Sequence, residues 1–161
     1  MMKTFMVVSS AVLLLFFSAH VAEAKLMSGL SAEGKPVFLS EPSQIPRAIK
    51  KFEITRDLTT EEGKIDYILS RIRSAQLKFV RNGIETDGNA AVQFLRWKIG
   101  WYENKYNTKI KTLHDFISQV AKGSEKTGKS YVLIFPDGTQ HNLQPILQND
   151  EKKLEELLPR A

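Results

Sequence analysis

Three stretches of the sequence carry residue types whose spacing could do chemistry. The first is Gly123-Ser-Glu-Lys-Thr-Gly128-Lys129-Ser130, which matches the phosphate-loop pattern G-x-x-x-x-G-K-[ST] letter for letter. Such a loop works because it leaves a strand and enters a helix, so that free backbone N–H groups and the helix N-terminus face the anion. Here the order is reversed. A helical pattern ends near Gly123 and a β-rich run opens at Tyr131. The stretch therefore reads as a helix-ending glycine followed by a polar loop, and nucleotide binding is set aside.

The second group is cationic. If the strand carrying Arg81 lies beside the strand entered from Gly128-Lys129, then Arg81, Lys98 and Lys129 converge as an anion pocket, with Asn82 and Tyr131 as donors. The plainer arrangement pairs Arg81 with Asp115 and leaves the lysines solvated. Neither His114 nor His141 stands in a metal or catalytic pattern, and both are expected at the surface. There is no H-E-x-x-H, no G-x-S-x-G and no acidic loop with ligand spacing. No catalytic residue, metal ligand or cofactor is assigned.

The third group is aromatic. At about 100° per residue, Val92, Leu95, Ile99, Tyr102 and Tyr106 fall on one stripe of a helix. Phe94, Trp97 and Trp101 fall on a second stripe, nearly opposite. A helix with two apolar faces needs cover on both. The first face should meet the core. The second is either covered by an upstream segment, through Phe38, Phe52 or Ile54, or left open as an aromatic patch flanked by Lys98 and Lys105 that stacks sugars or binds a partner.

The elements that must position these residues follow from caps and periodicity. Thr59-x-x-Glu62 reads as a capping box opening a helix over 60–76, with Ile65, Ile68, Leu69 and Ile72 on its buried face. Lys78 to Arg81 is a short strand closed by the turn pair Asn82-Gly83. Asp87 caps the aromatic helix, which runs to about Tyr106. Thr112-x-x-Asp115 caps a third helix with Leu113, Phe116, Ile117 and Val120 inward. Tyr131 to Phe135, the turn Pro136-Asp137-Gly138 and Thr139 to Leu143 make a hairpin. Pro145 suits the first turn of a last helix. The fold class is α+β: three to four helices packed with a small antiparallel sheet or hairpin.

Upstream of that domain the chain changes character. Met1 to Ala24 has a positive start at Lys3, an apolar run from Phe5 to Phe17 and an A-x-A site at Ala22-Glu23-Ala24, which together read as a secretory signal peptide. The apolar run is shorter than the ~20 residues of a membrane span. Export and cleavage near Ala24-Lys25 are expected, with no anchor left behind. Residues 25–58 carry Pro36, Pro42 and Pro46 without a helical period. They read as an extended arm laid on the domain or a partly mobile leader, with short strands at Pro36–Leu39 and Phe52–Thr55. The domain proper spans residues 59–161.

Composition bounds the rest. The chain has 161 residues, 42% hydrophobic and 25% charged, with a net charge of +5. Cleavage would remove one basic and one acidic residue and leave that charge unchanged. The absence of cysteine excludes a disulfide scaffold, a thiolate metal site, a cysteine nucleophile and a lipid-modified cysteine anchor.

Phe79-Val-Arg-Asn-Gly83, Ala91-Val92, Leu95-x-x-Lys98, Asp115-Phe-Ile117 and Thr127-Gly-Lys129-x-Tyr131 follow one another in an order and spacing that resembles the YfeK-like family of small exported bacterial proteins, a domain of unknown function. The likeness covers roughly residues 60–148. It implies a periplasmic location in a Gram-negative cell and carries over no activity, substrate or catalytic residue. Three departures stand out. Asn89 or Ala90 takes the place of the family's Glu, Phe94 that of its His, and Ser130 that of its Pro. Family members are also expected to lack the Lys25–Leu58 segment.

These observations favour a non-enzymatic periplasmic module that binds an anionic ligand or an envelope protein. The runner-up is an enzyme with a polar site at Arg81, Asn82, Asp115 and Tyr131. Nucleic acid ranks last as a partner, because the cations are spread along the chain rather than blocked.

Overall fold

A computed structural model describes residues 26–159. The leader expected over residues 1–24 lies outside them. Strand β1 (Leu26–Met27) comes first, and a 3₁₀ turn (Pro42–Gln44) leads into helix α1 (Ile45–Glu53). This helix corrects the expectation of an extended arm with a strand at Phe52–Thr55. Pro46 sits in its first turn, where a missing N–H costs nothing. Ile45, Ile49 and Phe52, at i, i+4 and i+7, give it one apolar side, with the two isoleucines buried. Pro36 forms only an isolated bridge to Leu30.

Helix α2 (Glu61–Ser74) is capped one residue later than the spacing suggests. The Thr60 hydroxyl accepts from the Gly63 N–H at 3.1 Å. Thr59 is diverted, because its N–H and its hydroxyl both donate to Asp57 Oδ1 at 2.8 and 2.7 Å. The turn folds so tightly that a β-carbon on Gly63 would lie 1.7 Å from the Asp57 carbonyl oxygen. Only glycine fits.

Strands β2 (Lys78–Arg81) and β3 (Ile84–Thr86) form a hairpin through Asn82 and Gly83, at φ 52° and 83°. Positive φ at both central residues is what a two-residue type I′ turn demands, and Asn-Gly meets it best. Helix α3 (Gly88–Tyr106) starts at Asp87, whose Oδ1 accepts from the Ala90 N–H, and stops at Asn107 in the left-handed region. Helix α4 (Leu113–Asp115) opens with the expected Thr112–Asp115 capping box and runs on as a π-helical segment, Phe116–Val120. Strands β4 (Val132–Ile134) and β5 (Gln140–Asn142) make the second hairpin, and α5 (Leu143–Leu157) follows.

The five strands lie in the order β1-β5-β4-β2-β3, with β1 parallel to β5 and every other pairing antiparallel. The fold is α+β. It has one more helix than the upper expectation, and the sheet is mixed rather than purely antiparallel. Register places Thr86, Phe79, Leu133, His141 and Met27 opposite one another in a row across the sheet. Phe79, Leu133 and His141 are all buried. Residues two along from this row share its side, so Arg81 and Tyr131 project toward the helices at the ends of β2 and β4.

His141 is a correction to the surface position expected for it. It is 2% exposed, edge-on to Phe135 at 5.3 Å, and its Nδ1 has no partner among the described residues. Burial lowers its pKa and holds it neutral. His114 is exposed, as expected.

Residues 26–58 are bound into the core rather than laid over it. Leu39, Ile45, Ile49 and Leu58 are buried in the same cluster as α2 and α5. Full burial of each such side chain is worth about 1.5–3 kcal/mol. Asn149 Nδ2 donates to the Gly29 and Val37 carbonyls at 2.9 and 2.8 Å, and Asp150 accepts from the Leu39 N–H at 3.0 Å. The segment packs against α2 and α5 and joins the sheet at β5.

Candidate functional site

That placement leaves the aromatic side of α3 uncovered. Phe52 packs edge-on against Tyr67 of α2 at 5.4 Å, Phe38 borders a different groove beside Phe135, and Ile54 is 81% exposed. None of the three reaches Phe94, Trp97 or Trp101, so the expected cover over this stripe is not there. Trp97 is 60% exposed, while Phe94 and Trp101 are half-buried.

The stripe forms one wall of a cleft of about 160 Å³. Along α3, Phe94 and Trp97 lie 5.7 Å apart, and Trp97 and Trp101 are near-parallel at 6.2 Å and 25°. Tyr131 from the start of β4 meets Phe94 edge-on at 5.7 Å. Each neighbour on the helix is three or four residues from the last, the spacing that puts side chains on one face.

Cations sit on these rings. The Arg81 guanidinium lies 4.1 Å from the Phe94 ring centre, and Lys105 Nζ lies 4.6 Å from Trp101 and 4.9 Å from Tyr106. Lys98 is buried beneath the cleft, with Nζ 4.9 Å from the Tyr131 ring and donating to the Val120 carbonyl at 2.7 Å and to the Gly123 carbonyl. Burial lowers the Lys98 pKa to about 8, so at neutral pH the ammonium persists. Burial raises the Tyr131 phenol to about 12, and it stays a neutral donor.

The opposite wall is the loop whose letters mimic a phosphate loop. It is tied to the β2–β3 turn by Asn82: Thr127 donates to Asn82 Oδ1 at 2.8 Å, and Asn82 Nδ2 donates to Ser124 Oγ at 3.4 Å. The loop spends backbone N–H groups on itself, with Ser124 N donating to Lys129 O and Gly128 N to Ser124 O, both at 2.8 Å. The π-helical segment precedes it, β4 follows, and no helix begins there. The phosphate-loop geometry is missing, as the reversed order of elements implied. What the loop offers is side chains. Ser124, Glu125 and Lys126 line the cleft, and Tyr106 Oη donates to Glu125 Oε2 at 3.1 Å.

Of the cationic group, Arg81, Asn82, Lys98 and Tyr131 line one cleft together with Phe94, Trp97 and Trp101, so the cationic and aromatic sets form a single site. Lys129 is exposed and lies outside the lining. Asp115 is also elsewhere. Its Oδ2 accepts from the Lys111 and Thr112 N–H groups, both at 3.1 Å, as the cap of α4. Arg81 does not pair with it. Glu125, Ser124 and Lys126 are the residues that spacing alone missed, because their loop is brought to the cleft by long-range bonds from Asn82, Lys98 and Tyr106. Among the described residues, no three His, Asp or Glu side chains gather as they would around a metal, and no helix is long and apolar enough to cross a membrane.

Comparison with known proteins agrees with the motif pattern. The chain is 39% identical over 72 residues to the uncharacterized protein YfeK of Salmonella typhimurium (strain LT2), a match that covers 44% of this chain. It spans 57% of that relative's length. No solved structure matches. Residues 59–155, well over half of the chain, match a family of unknown function, DUF5329. On that match, the chain belongs to the DUF5329 family.

Proposed function

We propose that this chain is a non-enzymatic binding module of the bacterial envelope, and that the cleft between α3, the β2–β3 turn and the 123–130 loop takes an anionic ligand. One observation carries this reading: a solvent-open wall of aromatic rings has four cations at its rim and base, Arg81, Lys98, Lys105 and Lys126, against the single carboxylate of Glu125. Large aromatics left exposed on one helix face are costly unless they meet a partner. The charge excess selects an anion. The N-terminal sequence, with its apolar run and A-x-A site, supports export. The enzymatic alternative places Asp115 beside Arg81, Asn82 and Tyr131, and Asp115 is committed to a helix cap.

The test uses intrinsic fluorescence, because the only two tryptophans, Trp97 and Trp101, both line the cleft. Titration of the full chain with a panel of polyanions should change tryptophan emission saturably, and added salt should weaken the effect. Trp97→Ala should weaken binding at least 10-fold while leaving the circular dichroism spectrum intact. Unchanged emission with every polyanion would sink the proposal.

A further inference from the structure

The cleft is built for more than charge. We infer that its occupant is an acidic sugar residue, one carboxylated pyranose ring of a longer glycan. This rests on the binding reading above and names its ligand class.

Size comes first. Whole small molecules are swallowed by pockets of about 300–1,000 Å³, and this cleft measures about 160 Å³. It takes one ring of a chain whose remainder runs on over exposed Trp97. The wall suits a pyranose, because the C–H face of the sugar stacks on indole and phenyl rings while its hydroxyls point outward to a polar rim. The rim has both hydrogen-bonding senses. Arg81 and Lys126 offer charge-assisted donors to a carboxylate. Glu125 offers an acceptor: Oε2 takes the Tyr106 hydroxyl, and Oε1 takes no hydrogen bond among the described residues. A carboxylate inside a cationic cleft is misplaced for a plain polyanion, which it repels. It is well placed for a sugar, whose hydroxyls need acceptors. A DNA strand brings phosphates and flat bases but few hydroxyls, so Glu125 counts against it.

Glu125 therefore supplies the discriminating variant. The probes are a galacturonic acid octamer, a neutral cello-oligosaccharide of similar length, and an octamer of deoxythymidylate, each titrated into the full chain and read by tryptophan emission. The acidic oligosaccharide should bind saturably, at least 10-fold tighter than the neutral one, and Trp97→Ala or Arg81→Gln should each weaken it 10-fold or more. Trp97→Phe should retain part of the affinity. Glu125→Ala should weaken the acidic oligosaccharide several-fold and leave or strengthen any binding of the oligonucleotide. If the oligonucleotide binds in a Trp97-dependent way and the galacturonate does no better than its neutral counterpart, the ligand class is wrong and the binding cleft stands. Silence from all three probes would overturn the sugar assignment, and silence that extends to every polyanion, or a dimer in sedimentation that Trp97→Ala dissociates, would overturn the binding reading as well.

Discussion

Arg81 at the end of β2 rests its guanidinium 4.1 Å from the ring centre of Phe94 on α3. That contact joins the sheet to the aromatic helix at the mouth of the cleft. The electron-rich face of the phenyl ring attracts the guanidinium. The Arg81 guanidinium donates no hydrogen bond to another side chain among the described residues and is exposed, so its N–H groups are open to solvent and any arriving anion.

Replacing Arg81 should thus separate ligand binding from stability. An exposed cation–π contact is worth about 0.5–1 kcal/mol. Arg81→Ala is expected to lower the melting temperature by only a few degrees while cutting affinity for an acidic oligosaccharide at least 10-fold. Paired thermal melts and titrations check this. A large melting loss with unchanged affinity would assign Arg81 to structure alone.

Lys98 should behave in the opposite way. Its ammonium holds the Val120 and Gly123 carbonyls where the π-helical segment ends, so its removal strands two acceptors in a buried place. An unsatisfied buried polar group costs about 1–3 kcal/mol. Lys98→Met keeps the bulk of the side chain and relieves the burial of the charge. The expected net loss is about 2 kcal/mol in urea unfolding, with looser hydrogen-exchange protection across the 121–124 turn.

Residues 26–58 should unfold together with the rest. Ile49 is buried against the common core, and truncation of such a side chain costs about 2–4 kcal/mol. Ile49→Ala is expected to shift a single unfolding transition, seen alike by circular dichroism and by tryptophan emission. Two separated transitions would mean that this segment is a detachable layer.

Much of this architecture could be read where local signals agree. Asp87 and the Thr112–Asp115 box announce α3 and α4, and Asn82-Gly83 announces a hairpin whose second strand, Ile84–Thr86, is too short and polar to notice. Helix α1 escaped because Pro36, Pro42 and Pro46 suggest an extended chain, although Pro46 suits a first helical turn and Ile45, Ile49 and Phe52 keep helical spacing. His141 gave no sign of burial, flanked as it is by Gln140 and Asn142. The cleft was half legible. Arg81, Asn82, Lys98 and Tyr131 sit on elements that local pattern can place, but Glu125 joins them through long-range bonds, those of Asn82 to positions 42 and 45 residues away and those of Lys98 to Gly123 and Tyr106 to Glu125. Pairings across such distances are settled by packing, and one sequence does not encode them locally.

The same holds for Arg71 and Asp150, which lead to the last prediction. Arg71 Nη2 lies 2.8 Å from Asp150 Oδ1, too far off line to make a hydrogen bond, and the guanidinium also reaches Tyr67 Oη and Ser40 Oγ at 3.1 and 3.2 Å. Burial pushes the Asp150 pKa up to about 6, against the opposing pull of Arg71 and of the Leu39 N–H. The unfolded chain releases this proton near the ordinary value of 3.8. Between about pH 4 and pH 6 the folded state therefore holds more protons than the unfolded state, and stability falls as pH rises through that window. Asn mimics the protonated acid and does not titrate. Relative to wild type, Asp150→Asn should accordingly gain stability from pH 4 to pH 7, by roughly 3 kcal/mol, and level off above. Urea unfolding of both proteins at several pH values measures the difference directly and cancels the exposed carboxylates common to both. A constant difference, or one that grows in favour of wild type, would mean that Arg71 fully compensates the buried charge. The Leu39 N–H, which ties residues 26–58 to α5, would then donate to a carboxylate held ionised by Arg71 of α2 rather than to a carboxyl group near its own titration point.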